Sequence, residues 1–268
     1  VENRPFKGKN FQIPRARRYF IPGCIWHITH RCHKKEFLLK FAKDRRRWMH
    51  WLFEAKKRYG LSVLNYMITS NHVHLIVVDD GSKDAISKSM QLVASRTAQE
   101  YNRRKNRKGA YWEDRYHATA IDREEHLLRC IVYLDMNMVR ARAVSHPSNW
   151  MYSGYHEIQN PRQRYALINY WRLMQLLKIR AADDLKNAHG GWIKEALRKQ
   201  GQVRESQWTQ SVAVGGKAFV EKVKEQLGFQ VKGRGIKQQG DNYRMREKQF
   251  AYNTHFAHET VPLSADNA

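Results

Sequence analysis

Residues 62 to 80 contain two strand-like runs with almost nothing between them. The first run, "SVLNYMIT" (62–69), is rich in β-branched and aromatic residues, and the second begins at His72, after only Ser70 and Asn71. Two such runs joined by so short a turn predict a β-hairpin, and a hairpin requires an antiparallel sheet. Any fold proposed for this chain must therefore contain that sheet.

Patterns on both sides of the hairpin predict the remaining elements of a small domain. A strand is expected before the hairpin at 24–31, a helix at 42–59, a second helix from about 83 to 104 and a last strand at 115–121. This order is β-α-β-β-α-β, the split ferredoxin-like arrangement. The sequence thus predicts an α+β fold with an antiparallel sheet, helices on one face, and the other face free for a ligand.

A third helix is expected to follow the last of these strands. Asp122 has the character of an N-cap, and Glu125 completes a capping box. Tyr133 and Asn137 lie four residues apart, so the helix stacks them one turn apart on the same side. We expect one domain over residues 1–150, a small helical region over 151–228, and a flexible tail over 229–268, where the chain is polar and rich in Gly, Gln and Lys.

The second strand of the hairpin carries two histidines on one face. Side chains alternate along a strand, so His72, His74 and Ile76 share one side while the intervening apolar residues share the other. Two imidazoles held two residues apart on a rigid strand can bind one metal ion. The alternative is an ordinary half-buried strand with a polar outer face.

The chain is strongly basic, with 49 Lys and Arg against 25 Asp and Glu, a net charge of +24 and a pI near 10.1. Self-repulsion of this size favours a polyanionic partner, and nucleic acid is the natural one. An acidic membrane is the competing partner, but the sequence shows no amphipathic helix with a basic face and a large apolar face. The expected DNA contacts are Arg15, Arg17 and Arg18, together with Arg103, Arg104, Lys105, Arg107 and Lys108 in the run "NRRKNRKG", which can also be read as a solvated loop.

Other sequence features bear on the compartment. The opening residues have no apolar segment typical of a signal peptide, and no run of 18 apolar residues predicts a membrane span. Three cysteines, an odd and small number, fit a reducing cytosol. We therefore expect a cytoplasmic protein associated with the nucleoid. The group Cys24, His27, His30, Cys32 and His33 matches no paired zinc-finger spacing.

Three segments together resemble a known family. The stretches "RRYFIPGCIWHITHR", "YMITSNHVHLIV" and "YLDMNMVRARAV" are similar to the first strand, the histidine motif and the tyrosine helix of the single-tyrosine HUH transposases. The likeness is greatest to the REP-associated tyrosine transposases of bacteria and covers about residues 12–145. It implies cleavage of single-stranded DNA beside a hairpin, leaving a 5′-phosphotyrosine and a free 3′-OH.

The resemblance also implies roles for particular residues. Tyr133 would be the nucleophile, and His72, His74 and Asn137 would hold a divalent cation, either Mg²⁺ or Mn²⁺. Tyr116 is a rival nucleophile, although it lacks an amide four residues later. Met138 stands where the family usually has proline, and we expect it to lengthen the helix by a turn.

Three classes of function remain open at this point. The first is a metal-dependent DNA strand transferase acting on single-stranded or hairpin DNA, as a monomer or homodimer. The second is a non-catalytic nucleic-acid-binding protein, since the same fold serves as an RNA-binding platform. The third is a phosphodiesterase in which the metal activates water, which would turn over without a covalent adduct.

Overall fold

The structure is a computed structural model that describes residues 21–78, 82, 84–199, 205–240 and 242–246. In chain order its strands and helices are β1 (Ile25–Arg31), α1 (Ala42–Tyr59), β2 (Ser62–Ile68), β3 (His72–Val78), α2 (Ala85–Arg104), β4 (His117–Ile121), α3 (Glu125–Asp135), α4 (Asn137–Arg140), α5 (Tyr155–Gln159), α6 (Tyr170–Leu176), α7 (Ala182–Arg198), α8 (Gln207–Gln210), β5 (Ser211–Gly215), α9 (Lys217–Leu227), β6 (Ile236–Gln239) and β7 (Asn242–Arg246).

The predicted β-α-β-β-α-β order is observed in the first six elements. Their strands lie in the order β2-β3-β1-β4, and each neighbouring pair is antiparallel. β1 is therefore central and pairs with β3 on one side and β4 on the other. The register sets Thr29 of β1 between His74 of β3 and His117 of β4, so polar side chains from three strands meet on one face.

The opposite face carries α1 and α2, which pack against each other. From α1, Trp48, Leu52 and Ala55 are fully buried, as the helical spacing of apolar residues predicts. The helix ends where Gly60 adopts a left-handed conformation with φ of 67°, a conformation that costs other residues more. The α+β class is thus confirmed, and α1 has the bounds predicted for it.

The polar face of the sheet is covered by α3, and the expectation of a free second face is wrong. Asn65 of β2 donates to Asp135 of α3, and the ring of His74 lies beside that of Tyr133. The physical reason is the polarity of this face. Buried polar side chains need hydrogen-bond partners, and α3 supplies partners that open solvent would otherwise provide.

The start of α3 also differs from the sequence interpretation. The helix begins at Glu125 with Glu124 in the N-cap position, so Asp122 does not cap it. Instead Asp122 accepts a hydrogen bond from the backbone N–H of Gly216, at 3.0 Å. The predicted capping box is therefore absent, because a distant segment supplies the donor that the Asp122 carboxylate binds.

Three further strands extend the sheet within segments that the sequence predicted to be helical or a tail. β5 pairs in parallel with β4, and β7 and β6 continue the sheet beyond it in antiparallel pairing. β5 lies inside the expected helical region, and the β6–β7 hairpin lies inside the expected tail. Both expectations for these residues are corrected, while the domain boundaries at 150 and 228 remain predictions.

The outer edge of β2 is occupied by irregular chain from the region after α4. Ile68 donates to the Tyr152 carbonyl at 2.9 Å, Gly154 donates to the Tyr66 carbonyl at 2.8 Å, and Asn169 donates to the Val63 carbonyl at 2.7 Å. These bonds satisfy backbone groups that an edge strand would otherwise expose. Within the described part of the chain, no helix is long and apolar enough to cross a membrane.

Candidate metal and tyrosine site

His72 is half-buried at the start of β3, and its orientation is set by the turn before it. Its Nδ1 lies 2.7 Å from Oδ1 of Asn71 and 3.0 Å from Oγ1 of Thr69. The Asn71 amide is oriented by its own Nδ2, which donates to the Lys35 carbonyl. The Thr69 hydroxyl donates to the His72 carbonyl. Both groups therefore accept from a protonated Nδ1, and in a neutral His72 the lone pair lies on Nε2.

His74 is buried and contacts a third histidine, His27 of β1. Nδ1 of His74 lies 2.9 Å from Nε2 of His27, and the planes of the two rings are nearly parallel, at an angle of 12°. On its other side, His27 places Nδ1 2.8 Å from the backbone carbonyl of Trp208 in α8. Burial lowers the pKa of His27 to about 3, against the opposing effect of the Trp208 carbonyl. His27 is therefore neutral at physiological pH.

Asn137 reaches the same histidine from the opposite side. Its amide nitrogen lies 3.1 Å from Nε2 of His74. The helix is not continuous up to this residue, because α3 ends at Asp135 and α4 begins at Asn137, with Met136 between them at ψ of 0°. The added turn expected from Met138 is therefore a separate short helix. The break lies between Tyr133 and Asn137.

Tyr133 is packed among the residues just described. Its ring centroid lies 6.1 Å from that of His74 and 6.2 Å from that of His27. The Trp208 ring lies 6.1 Å away, and the Arg140 guanidinium lies over the tyrosine ring at 4.2 Å from its centroid. Only 4% of Tyr133 is exposed, so a substrate reaches the phenol only if the ring or its neighbours move.

These donors fit a divalent cation. His72 and His74 each use Nδ1 within the protein and keep the Nε2 lone pair, which is the form of imidazole that binds metals. Asn137 adds an amide beside His74. Among the described residues, no group of three or more His, Cys, Asp or Glu side chains is arranged to hold a metal. The two histidines and Asn137 do not form such a group, because the third side chain is an amide.

The segment carrying Tyr133 and Asn137 is held by a buried polar network. The Asp135 carboxylate accepts from Asn65 at 3.1 Å and lies 2.8 Å from Nε2 of His189 in α7. Gln159 donates to Nδ1 of His189 at 2.7 Å. Asp135 and His189 are both fully buried. α3 is thereby fixed to β2 on one side and to α7 on the other.

Other residues singled out in the sequence lie away from this cluster. Tyr116 lies with its ring 6.5 Å from that of His30, which stacks on Trp112 on the α2 side of the sheet. His27 and His30 of the possible zinc group consequently lie on opposite faces of β1. Tyr116 is thus across the sheet from His72 and His74.

The predicted DNA contacts fall into two groups. Arg15, Arg17 and Arg18 lie outside the described residues, and their roles stay predictions. In the second group, Arg104 pairs with Asp44, and Arg107 pairs with Glu36 at 3.2 Å. The remaining three are exposed and have no acidic partner within the described part of the chain: Arg103, Lys105 and Lys108.

Sequence reasoning missed the contacts of His27, Trp208 and Arg140 around Tyr133. Strand alternation offered a signal for His27, because a central β1 paired with β3 sets His27 directly across from Ile76, on the face of His74. No local signal points to Trp208, which lies 181 residues from His27 in sequence.

Comparison with known proteins finds a family that matches part of the chain. The family described as "Transposase IS200 like" matches residues 21–136, the segment from just before β1 to the residue that follows α3. No curated protein sequence matches the chain.

Two solved structures are similar to part of the chain. One is described as a REP-associated tyrosine transposase bound to a REP hairpin, with 19% identity and a TM-score of 0.46, covering 54% of this chain and 84% of that one. The other is assigned to a transposase of Deinococcus radiodurans, with 14% identity and a TM-score of 0.32, covering 42% of this chain and 89% of that one. The family match covers residues 21–136, which carry both histidines and Tyr133, so this part of the chain is similar to the IS200-like transposases.

Proposed function

We propose that this protein is an IS200-like transposase that cleaves and rejoins single-stranded DNA beside a hairpin, with Tyr133 as its nucleophile. The observation that carries the proposal is the convergence of His72, His74 and Asn137 beside the Tyr133 ring, on the covered face of the sheet. We infer that the REP-like hairpin class implied by the sequence motifs is the substrate. The place of action would be the nucleoid in the cytoplasm.

The two histidines and Asn137 are the residues that would hold Mg²⁺ or Mn²⁺. A cation bound there withdraws charge from a phosphodiester and makes the phosphorus easier to attack. Imidazole nitrogens favour Mn²⁺ and later metals, whereas magnesium prefers oxygen. The mixed set of two nitrogens and one amide oxygen therefore favours Mn²⁺ in binding.

The reaction proposed for Tyr133 is a transesterification. A free phenol has a pKa near 10 and is a poor nucleophile at neutral pH, so it must lose its proton as the new bond forms. The phenol oxygen bonds to phosphorus, the bond from phosphorus to the 3′ oxygen breaks, and that oxygen leaves as a hydroxyl after taking a proton. One phosphodiester replaces another, so a later 3′-OH can reverse the step without ATP.

Two features support DNA binding in this proposal. Arg140 lies over the Tyr133 ring with its Nη2 donating to the Tyr133 carbonyl, which brings a positive charge next to the reacting group. Exposed basic residues at the end of α2 supply further phosphate contacts. Each such contact releases condensed counterions and strengthens binding at low salt.

The decisive experiment is to trap the covalent adduct on labelled hairpin-flanking single-stranded DNA. Wild-type protein should form a phosphotyrosine adduct, and Tyr133→Phe should form none while still binding the DNA. Tyr116→Phe is the matched control and should form the adduct normally, because Tyr116 lies across the sheet. Adduct formation by Tyr133→Phe would contradict the assignment. Cleavage without adduct would indicate water as the nucleophile, and binding without cleavage would indicate a binding protein.

Metal dependence has its own test. His72→Ala and His74→Ala should each abolish cleavage, and a chelator should abolish cleavage by the wild type until Mn²⁺ is restored. Asn137→Ala should weaken metal binding less, because water can replace one neutral oxygen ligand. Undiminished cleavage by both histidine variants with excess chelator present would remove the metal from the proposal.

A further inference from the structure

We propose that His27 is a positioning residue that fixes the tautomer of His74 so that its Nε2 is available to the metal. The inference rests on the proposed function in one respect, namely that His74 is a metal ligand. His27 itself would touch neither metal nor DNA. It acts through His74, and it receives its own orientation from the backbone carbonyl of Trp208.

The chain of contacts leaves one consistent assignment of protons. The Trp208 carbonyl can only accept, so Nδ1 of His27, 2.8 Å away, carries a proton. His27 is fully buried, and its two ring nitrogens face a backbone carbonyl and another imidazole, so no carboxylate compensates a charge there and its Nε2 has the lone pair and accepts. Its partner at 2.9 Å, Nδ1 of His74, must then be the donor. A neutral His74 that donates from Nδ1 has its lone pair on Nε2.

This assignment matters because an imidazole nitrogen that carries a proton cannot bind a metal. The Asn137 amide nitrogen also faces Nε2, but without an acceptor at Nδ1 the tautomer of His74 that carries its proton on Nε2 would become more populated, and that tautomer cannot bind a metal through Nε2. A metal-bound histidine usually donates its other N–H to a carboxylate, a carbonyl or water, and loss of that partner typically lowers metal affinity about 10- to 100-fold. Here the partner is His27, and the tautomer of His27 is determined in turn by the Trp208 carbonyl.

The Trp208 carbonyl lies outside residues 21–136, the segment that the family matches. Trp208 belongs to α8, which directly precedes β5, and its carbonyl also accepts from the Thr119 hydroxyl of β4 at 3.1 Å. The Trp208 side chain is fully buried and lies against Tyr133. The C-terminal part of the chain therefore contributes one backbone atom and one ring to the arrangement around His74 and Tyr133.

The first test needs no variant and no metal. Nitrogen NMR of histidine-labelled wild-type protein distinguishes a protonated ring nitrogen from one with a lone pair. The expected result is a neutral His74 with the proton on Nδ1, and a neutral His27 with the proton also on Nδ1. A His74 that carries its proton on Nε2 would overturn the proposal.

The second test compares two replacements of His27 by titration with Mn²⁺ alone. His27→Leu removes the acceptor, and Mn²⁺ affinity should fall about 10- to 100-fold as His74 becomes a mixture of tautomers. His27→Gln keeps a carbonyl oxygen able to accept from His74, so its affinity should stay within a few-fold of wild type. His30→Leu makes the same change on the other face of β1 and should leave Mn²⁺ affinity unchanged.

The outcomes separate this proposal from the one on which it rests. Wild-type protein that binds no Mn²⁺ would refute the metal site, while the NMR result would still decide whether His27 orients His74. Wild-type affinity in His27→Leu, with His74 still protonated on Nδ1, would overturn the positioning role and leave the metal site standing. Equal losses in His27→Leu and His27→Gln would also count against it, because a structural role would not distinguish the two.

Discussion

Replacing His189 by leucine should destabilise the whole chain, because it leaves a buried carboxylate without its strongest partner. Asp135 is fully buried and is held by Asn65 at 3.1 Å and by His189 at 2.8 Å. Leucine has a volume close to that of histidine, so the cavity term is small. What remains is the cost of a buried charge that has lost one of two partners.

Removing a hydrogen bond to a buried charged group typically costs about 1.5–3 kcal/mol. We expect a loss of that size in the free energy of unfolding, or a fall of roughly 3–12 °C in Tm for a chain of this length. Urea unfolding followed by circular dichroism measures it. His50→Leu is the matched control, since His50 is exposed on α1, and its effect should stay within about 0.5 kcal/mol.

A double variant tests the cause of the loss. Adding Asp135→Asn to His189→Leu removes the charge while keeping an oxygen that can accept from Asn65. It should recover about 2 kcal/mol relative to His189→Leu alone, within the usual range for residues in direct contact. A loss below about 1 kcal/mol in His189→Leu, or further destabilisation in the double variant, would refute the reasoning.

Three further predictions follow from other parts of the molecule. Replacing the exposed basic residues Arg103, Lys105 and Lys108 by glutamine should flatten the log–log salt dependence of single-stranded DNA binding by roughly two units, at about 0.7 per phosphate contact; an unchanged slope would place the DNA path elsewhere. Gly215→Ala should cost about 1–3 kcal/mol in urea unfolding, because an added Cβ would lie 2.6 Å from Cβ of Asp122; full stability would contradict this close approach. Burial raises the pKa of Cys32 to about 12 and that of Cys130 well above its usual value. Thiol reagents at pH 8 should therefore label these two cysteines only after unfolding, and rapid labelling of native protein would contradict their burial.

Local patterns were sufficient for several of the first elements in the chain. The helical spacing of Trp48, Leu52 and Ala55, with Gly60 beyond them, predicted α1 over the residues that the structure assigns to it. β2 was predicted over residues 62–69 and ends one residue earlier, and β3 begins directly after Ser70 and Asn71, as predicted. Such signals depend on neighbours within a few residues, which the sequence displays directly.

The later strands gave weaker signals because they are short or largely solvated. β5 spans only five residues and lies directly between two helices, and β6 and β7 contain mostly polar residues. β5 and β6 lack the alternation of apolar and polar residues that marks a half-buried strand, and in β7 the alternation covers only five residues. β5 pairs with β4, nearly a hundred residues earlier, and β7 pairs with β5, so the place of the β6–β7 hairpin in the sheet depends on a contact that no local pattern reveals.

Part of the candidate site was likewise predicted from local patterns, and part of it was not. His72, His74, Tyr133 and Asn137 were predicted from motifs, and the structure brings them together, while their catalytic roles stay a proposal. The break at Met136 and the contacts of His27 were not predicted, because both depend on packing between distant segments. An intact helical spacing had suggested a continuous helix up to Asn137.

The parallel pairing of β5 with β4 has a practical consequence for shortened forms of this protein. A chain cut near residue 200 would keep the whole family-matched segment yet leave one side of β4 unpaired. An exposed edge strand invites pairing with another copy and aggregation, and the β2 edge offers no such opening because residues 152–169 occupy it. We therefore expect truncated protein to self-associate through β4 into insoluble material, so that the minimal well-behaved unit extends through β7.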